Sequence, residues 1–252
     1  MRWQDIKDEY PYLYETHMHT SQGSRCASST GGEMARAAKE YGYTGVFITD
    51  HNWGGNTAVD RELEWEKWMD SYCEGYLYAK RVGDEIGLQV FWGMEATFNG
   101  TDFLIYGLSP EWFKAHPKVR EVDVEELYNI VHEAGGMMIH AHPYREEAYI
   151  PEIRLFPDSV DGVEGINATH SGSRSTGHVN PEYDTCAIAY ATKHNLPMTA
   201  GSDIHSVNLL GGGMAFKKKF DSINDYVKAI LNGEDYILTN GDNCYTKYGV
   251  LM

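Results

Sequence analysis

"YLYETHMH", residues 12–19, decides how the chain is to be read. An apolar and aromatic run carries His17 and His19 one residue apart and then gives way to a Ser/Gly-rich stretch. Side chains of a strand alternate between faces, so the two imidazoles point the same way and can grip one object together. The plain alternative is a half-exposed strand end where two histidines happen to fall.

Outward from this stretch, strand-like and helix-like segments alternate. "GGEMARAAKEYG" (31–42) has Met34, Ala37, Ala38 and Tyr41 at helical spacing, and "GVFITDH" (45–51) follows as a short β-branched and aromatic run. Residues 62–87 predict one long helix with an apolar stripe that includes Trp65, Trp68 and Tyr72. "LQVFWGMEATF" (88–98) and "DFLIYGL" (102–108) predict a hairpin across "NGT". The series continues with the helix "DVEELYNIVHEAGG" (123–136), "MMIHAHP" (137–143) and "VDGVEGIN" (160–167). The helix "PEYDTCAIAYATKHN" (181–195), "PMTAGSDIH" (197–205), a helix near 221–232 and "DYILTN" (235–240) complete it. Such alternation predicts a mainly parallel sheet. With 252 residues and no linker or repeat, the expectation is a single domain over 1–252.

The ionisable residues fall at the carboxyl ends of these strands: His17 and His19, Asp50 and His51, Glu95, His140 and His142, and Asp203 and His205. In a parallel α/β barrel those ends converge on one face. Buried charges are costly unless paired or metal-bound, so a metal centre is the economical explanation. Imidazole with carboxylate suits Zn, Fe or Mn, and seven or eight converging groups exceed what one tetrahedral ion takes. Two ions or more are therefore expected, with paired metals activating a water.

"ETHMHT", "GVFITDHN", "GMEATF", "IHAHP" and "GSDIH", in this order between about residues 12 and 206, resemble the motifs of the PHP (polymerase and histidinol phosphatase) family. The resemblance implies a distorted (β/α)7 barrel, a two- or three-metal centre, and phosphoesterase activity through metal-activated water. By motif match it gives ligand roles to His17, His19, His51, Glu95, His142, Asp203 and His205, with Glu95 bridging two ions. The chain departs from the family at two places. "SQGSRC" offers Ser24 near a family Asp, and Asp102 stands where a family histidine is usual and retains a ligand's oxygen.

Other residues have two readings each. Arg145 in "HPYR" and Arg25 in "SRC" are candidates to hold a phosphate, with surface salt bridges as the alternative. His170 is either a ligand or proton donor or a loop residue, and His140 either a hydrogen-bonded core histidine or a catalytic one. Asp50 is expected to hold a neighbouring backbone or imidazole, and Cys26 to be a small buried residue or a substitute ligand. Arg174 is a weaker phosphate candidate.

Charge bounds the partners. Twenty-one Lys and Arg against 37 Asp and Glu give a formal net charge of -16, which repels long nucleic acids and anionic lipid. The four scattered cysteines, the charged start "MRWQDIKDEY" and the lack of a long apolar run lead to the expectation of a cytoplasmic protein without a membrane span. The expected activity is hydrolysis of a small phosphorylated substrate, a nucleotide or a histidinol-phosphate-like metabolite. Hydrolysis of a C–N or C–O bond and a catalytically silent metal-binding module are the rival readings.

Overall fold

Strand β1, Tyr12–Met18, lies inside the first of two sheets in the computed structural model, which describes residues 1–175 and 177–252. Beside it run β2 (Gly45–Ile48) and then β3 (Gln89–Trp92), both parallel. On its other side are β9 (Gly213–Phe216), β10 (Tyr236–Thr239) and β11 (Cys244–Thr246), each antiparallel to the strand before it in the sheet. The second sheet has the order β4 (Met94–Phe98), β5 (Thr101–Tyr106), β6 (Met137–Ala141), β7 (Gly162–Asn167) and β8 (Met198–Gly201).

The fold is mixed α/β, and the expectation of a mainly parallel sheet needs correction. Only β1–β2, β2–β3, β6–β7 and β7–β8 are parallel ladders among the described residues, so the sheets are mixed rather than mainly parallel. The ladders among the described residues form two sheets and do not by themselves close a barrel. At Gly93 the chain leaves the first sheet for the second, and the sheets meet through the isolated bridges Met18–Ile204 and His51–Glu95. The predicted hairpin is present, with Phe98 facing Thr101 across Asn99 and Gly100. Both turn residues have positive φ, 50° and 83°, as a tight two-residue hairpin turn requires.

Helices cover the sheets: α1 (Trp3–Ile6), α2 (Gly31–Tyr41), α3 (Trp65–Tyr72), α4 (Glu74–Ile86), α5 (Pro110–Ala115), α6 (Val124–Glu133), α7 (Ala168–Ser171), α8 (Pro181–His194) and α9 (Ile223–Leu231). Reciprocal Thr30 and Glu33 bonds start α2, and left-handed Gly42 ends it. The long helix expected over 62–87 is two, broken at Cys73, with Trp65, Trp68 and Tyr72 buried as expected. No helix among the described residues is long and apolar enough to cross a membrane.

An aromatic plug fills the space beneath the strand ends. Tyr14 stacks on Phe220 at 4.7 Å, and Phe47 meets Tyr106 edge-on at 5.5 Å. The buried Tyr106 hydroxyl donates to the Thr16 carbonyl at 2.7 Å, which ties β5 to the backbone just before His17. On the other side β8 comes close to β1: a Cβ on Gly201 would lie 2.4 Å from His17 Cβ. Gly201→Ala is therefore expected to lower stability by about 1–3 kcal/mol, the usual cost of overpacking. Urea unfolding measures it, and an unchanged midpoint would contradict this approach of the two strands.

Candidate metal centre

The alternation of β1 sends His17 and His19 to one side, with ring centroids 5.1 Å apart and both side chains fully buried. The end of β2 brings His51, β4 brings Glu95, the end of β6 brings His142, and the turn after β8 brings Asp203 and His205. Seven residues assigned as ligands by motif thus meet in one place. Three overlapping groups have the spacing to hold an ion: His17, His19 and Asp203; His17, Glu95 and His142; and His19, His51 and His205.

Glu95 lies at the middle of this cluster. Its Oε1 is 3.2 Å from His17 Nε2 and 3.1 Å from His142 Nε2; its Oε2 is 2.6 Å from His51 Nδ1 and 3.5 Å from His19 Nε2. One oxygen thus faces one pair of imidazoles and the other faces a second pair, as a bridging carboxylate would. Asp203 Oδ1 adds contacts to His19 Nε2 at 3.0 Å and His17 Nε2 at 3.4 Å. Ligand atoms about 2.0–2.2 Å from one ion lie roughly 3–3.5 Å from each other, the spacing seen across this cluster.

The protons of the imidazoles are held elsewhere. His17 Nδ1 lies 2.9 Å from Glu164 Oε1, whose other oxygen accepts from Asn167 Nδ2 and the His142 N–H. His19 Nδ1 lies 3.0 Å from Ser24 Oγ, while the single Ser24 proton goes to Asp50 Oδ1 at 2.6 Å. Ser24 must then accept, so His19 carries its proton on Nδ1. His205 Nδ1 faces the Asp203 carbonyl at 2.9 Å, an acceptor that fixes the same tautomer. Each Nε2 is left with a lone pair, and at His17 and His19 it meets carboxylate oxygen. His17 Nε2, His51 Nδ1, Glu95 Oε2 and Asp203 Oδ2 are buried without an aligned hydrogen bond, although His51 and Glu95 lie in contact. Lone pairs facing anions call for a cation, and the residues present fit a metal of the Zn, Mn or Fe kind.

The electrostatics agree. Burial opposes ionisation of Glu95, but the His51 and His17 imidazoles outweigh it and hold the carboxyl well below its ordinary range. Burial likewise opposes ionisation of Asp203, and Arg145 and His17 reverse the effect. His17 is pulled well up despite its burial, by Glu164, Asp203 and Glu95. A site that raises a buried imidazole in this way is short of positive charge. Its backbone is strained as well: His142 and Asp203 have φ of 28° and 50°, uncommon for residues with a side chain.

The remaining candidates separate. Asp102 Oδ2 stands 3.9 Å from His142 Nε2, at the edge of the cluster. Arg145, which might have made a surface salt bridge, is buried instead, with Nη2 2.7 Å from Asp203 Oδ2 although the N–H does not point straight at that oxygen. His170 stands edge-on to the His142 ring, 6.4 Å between centroids, but turns neither nitrogen to the cluster; its two ring nitrogens face Arg145 and Asp184. Arg25 is exposed and makes no side-chain contact with the cluster among the described residues. Ser24 turns inward to Asp50 and Cys26 lies against His205 and His51, so the residue between them points away. Arg174 lies over the Tyr41 ring and donates to the Leu210 carbonyl, apart from the cluster.

Cys26 is exposed at the cavity mouth rather than buried. Burial of its sulfur works against ionisation, yet bonds from His205 and His51 bring the thiol down to about 7. Asp50 holds the loop after β1 as expected, accepting from the Thr20 N–H at 2.7 Å, the Thr20 hydroxyl at 2.6 Å and Ser24. His140 makes no hydrogen bond among the described residues; it stacks on Phe103 at 4.9 Å, and burial lowers it to about 3. The sequence reading did not single out Glu164, Asp184, Tyr149 or His178. A carboxylate inside the apolar run "GVEGIN" was the one signal for Glu164. Tyr149 and His178 line the cavity of about 530 Å³ that opens onto the cluster, alongside Asp102 and Arg145.

Comparison with known proteins adds to this geometry. A family model described as PHP-associated matches residues 183–234, a stretch that contains Asp203 and His205. A two-domain protein of Bacteroides vulgatus, which contains a predicted PHP-like metal-dependent phosphoesterase, superposes with a TM-score of 0.65 at 16% identity over 94% of this chain and 67% of its own. The fold is PHP-like. A Bifidobacterium adolescentis protein assigned by inference to the metal-dependent phosphoesterases gives a TM-score of 0.51 at 16% identity, covering 88% of this chain and 96% of that one. In sequence, an uncharacterised protein of Methanocaldococcus jannaschii is 28% identical over 137 residues, which span 54% of this chain and 66% of that relative. The match thus covers just under two thirds of the relative's length.

Removing a ligand from this cluster should open the shell of bound metal. His17→Ala, His19→Ala and Asp203→Ala are each expected to lower the metal content of purified protein, measured by elemental analysis, and to abolish turnover. Full activity in metal-free Asp203→Ala protein would contradict the assignment.

Proposed function

We propose that this chain is a metal-dependent phosphoesterase that hydrolyses a small phosphate ester, a mononucleotide or a histidinol-phosphate-like metabolite. One observation carries the reading: the guanidinium of Arg145 is buried in the wall of the same cavity as the imidazole–carboxylate cluster, against Asp203. Two or three Zn, Mn or Fe ions held by His17, His19, His51, Glu95, His142, Asp203 and His205, with Asp102 at the edge, would supply Lewis acidity and an acidified water. Glu95 reaches both pairs of imidazoles and so sets the spacing between ligands. Arg145 would bind phosphate oxygens through its fork of N–H donors and stabilise the charge that grows on them. His170 takes no direct part, because both its nitrogens are engaged behind Arg145.

Hydrolysis of a neutral amide at the same cluster has no use for a buried guanidinium, which favours the phosphate reading over a C–N hydrolase. A catalytically silent module would not need this cavity beside its ligands. The cavity of about 530 Å³ suits a compact ester, and a net charge of -16 disfavours a long polynucleotide. The bridges Met18–Ile204 and His51–Glu95 support reading β1, β2 and β4 to β8 as the strands of a distorted (β/α)7 barrel. Four free thiols support the cytoplasm.

In a substrate panel with added Mn or Zn, mononucleotides and small sugar or amino-alcohol phosphates are expected to turn over faster than long single-stranded DNA. Arg145→Ala should weaken the phosphate substrates by about 1.5–3 kcal/mol, the value of a charged hydrogen bond. Efficient degradation of long DNA with little turnover of any small phosphate would overturn this reading.

A further inference from the structure

Behind the cavity wall Arg145 continues into a buried chain of contacts that the reaction does not itself require. Its Nε donates to His170 Nε2 at 3.0 Å, and His170 Nδ1 lies 2.8 Å from Asp184 Oδ1. Asp184 is held in turn: Oδ1 accepts from the Asn167 N–H at 3.1 Å and Oδ2 from the Ser171 hydroxyl at 2.5 Å. His170 and Asp184 are both buried, 1% and 4% exposed.

The donors fix the protonation pattern. A guanidinium has no lone pair to offer, so His170 Nε2 must accept, and the ring proton sits on Nδ1 facing the carboxylate. An imidazolium would set an N–H against the Arg145 N–H. Burial, with Arg145 and His142 nearby, keeps His170 well below its ordinary range and neutral. The guanidinium is thereby held at two points, Nε at His170 and Nη2 at Asp203, while its remaining N–H groups are free to face the cavity that Arg145 lines. A long flexible cation fixed in this way has lost its conformational freedom before substrate arrives. The pair has no counterpart for a lysine, which lacks the planar fork.

We infer that His170 and Asp184 are a positioning pair that locks the Arg145 guanidinium, so that its free edge meets the phosphate of a small anionic ester. The inference rests on the phosphoesterase reading. His170 does not line the substrate cavity; its ring stands edge-on to His142, 6.4 Å between centroids, but its hydrogen bonds run to Arg145 and Asp184, so its effect on phosphate is exerted through Arg145.

The test uses the full chain loaded with Mn or Zn and reads three quantities: binding of inorganic phosphate by titration calorimetry, the split between KM and kcat for a small phosphate monoester, and metal content. His170→Leu removes the acceptor and is expected to weaken inorganic phosphate and raise KM about tenfold, with kcat and metal content close to those of the parent. His170→Gln, which offers an oxygen to Arg145 and an N–H to Asp184, should restore most of the affinity. In an Arg145→Ala background, His170→Leu should have no further effect. If His170→Leu folds poorly, Asp184→Asn replaces it, with a smaller loss of affinity in the same direction. Unchanged phosphate affinity in His170→Leu protein, or an equal loss with and without Arg145, would overturn the inference. If Arg145→Ala alone left phosphate affinity unchanged, the phosphoesterase reading would fail, a result distinct from the other two.

Discussion

Two buried carboxylates, Glu95 and Asp203, face imidazole nitrogens whose protons are held on the far side of the ring. Everything around the site depends on that arrangement. Buried carboxylates are costly without a compensating charge, and without a metal that charge falls to protons on His17 and His51, which are buried themselves. A cation shared among them resolves the conflict, and Glu164, Ser24 and the Asp203 carbonyl keep His17, His19 and His205 ready to meet it. The strain at His142 and Asp203 is consistent with a backbone bent to aim their side chains inward. Beneath them the Tyr106 bond to Thr16 and the close passage of Gly201 past His17 keep β1 in place.

Much of the site was legible in the sequence because its chemistry follows the strand period. His17 and His19 share a face by alternation, and the other ligands stand at the ends of apolar runs that read as strands. The partners that orient them were harder to see. Glu164 looks like any carboxylate near a turn, and Asp184 lies on α8 among residues with a helical pattern of their own; only the folded chain brings it to His170. Arg25 and Arg145 are equally close in sequence to metal motifs, yet one is exposed and the other buried, because local turns decide which way each points.

The fold was legible in its elements and less so in its arrangement. The order of strands and helices and the hairpin at Asn99–Gly100 follow from periodicity and turn residues. The split into two sheets does not, since a single residue, Gly93, separates β3 from β4 in a run that reads as one strand. Strand β9 was also missed, as Met214, Ala215 and Phe216 after a run of glycines carry little signal. Its antiparallel pairing with β1 makes the first sheet mixed. The break at Cys73 lies within a continuous apolar stripe and is not marked by Gly or Pro.

Whole-chain charge and local charge have opposite signs of consequence. A net charge of -16 keeps polyanions away, while Arg145 offers a guanidinium at the cavity of about 530 Å³ that opens on the ligand cluster. The central claim, that neutral imidazole lone pairs and the two carboxylates hold metal, is tested most directly by anomalous X-ray diffraction from crystals of metal-loaded protein. The account predicts ion peaks about 2.0–2.2 Å from His17 Nε2 and His19 Nε2, with Glu95 bridging adjacent ions. Ions bound elsewhere with this cluster unfilled would contradict it, as would His17 or His19 turned to present Nδ1.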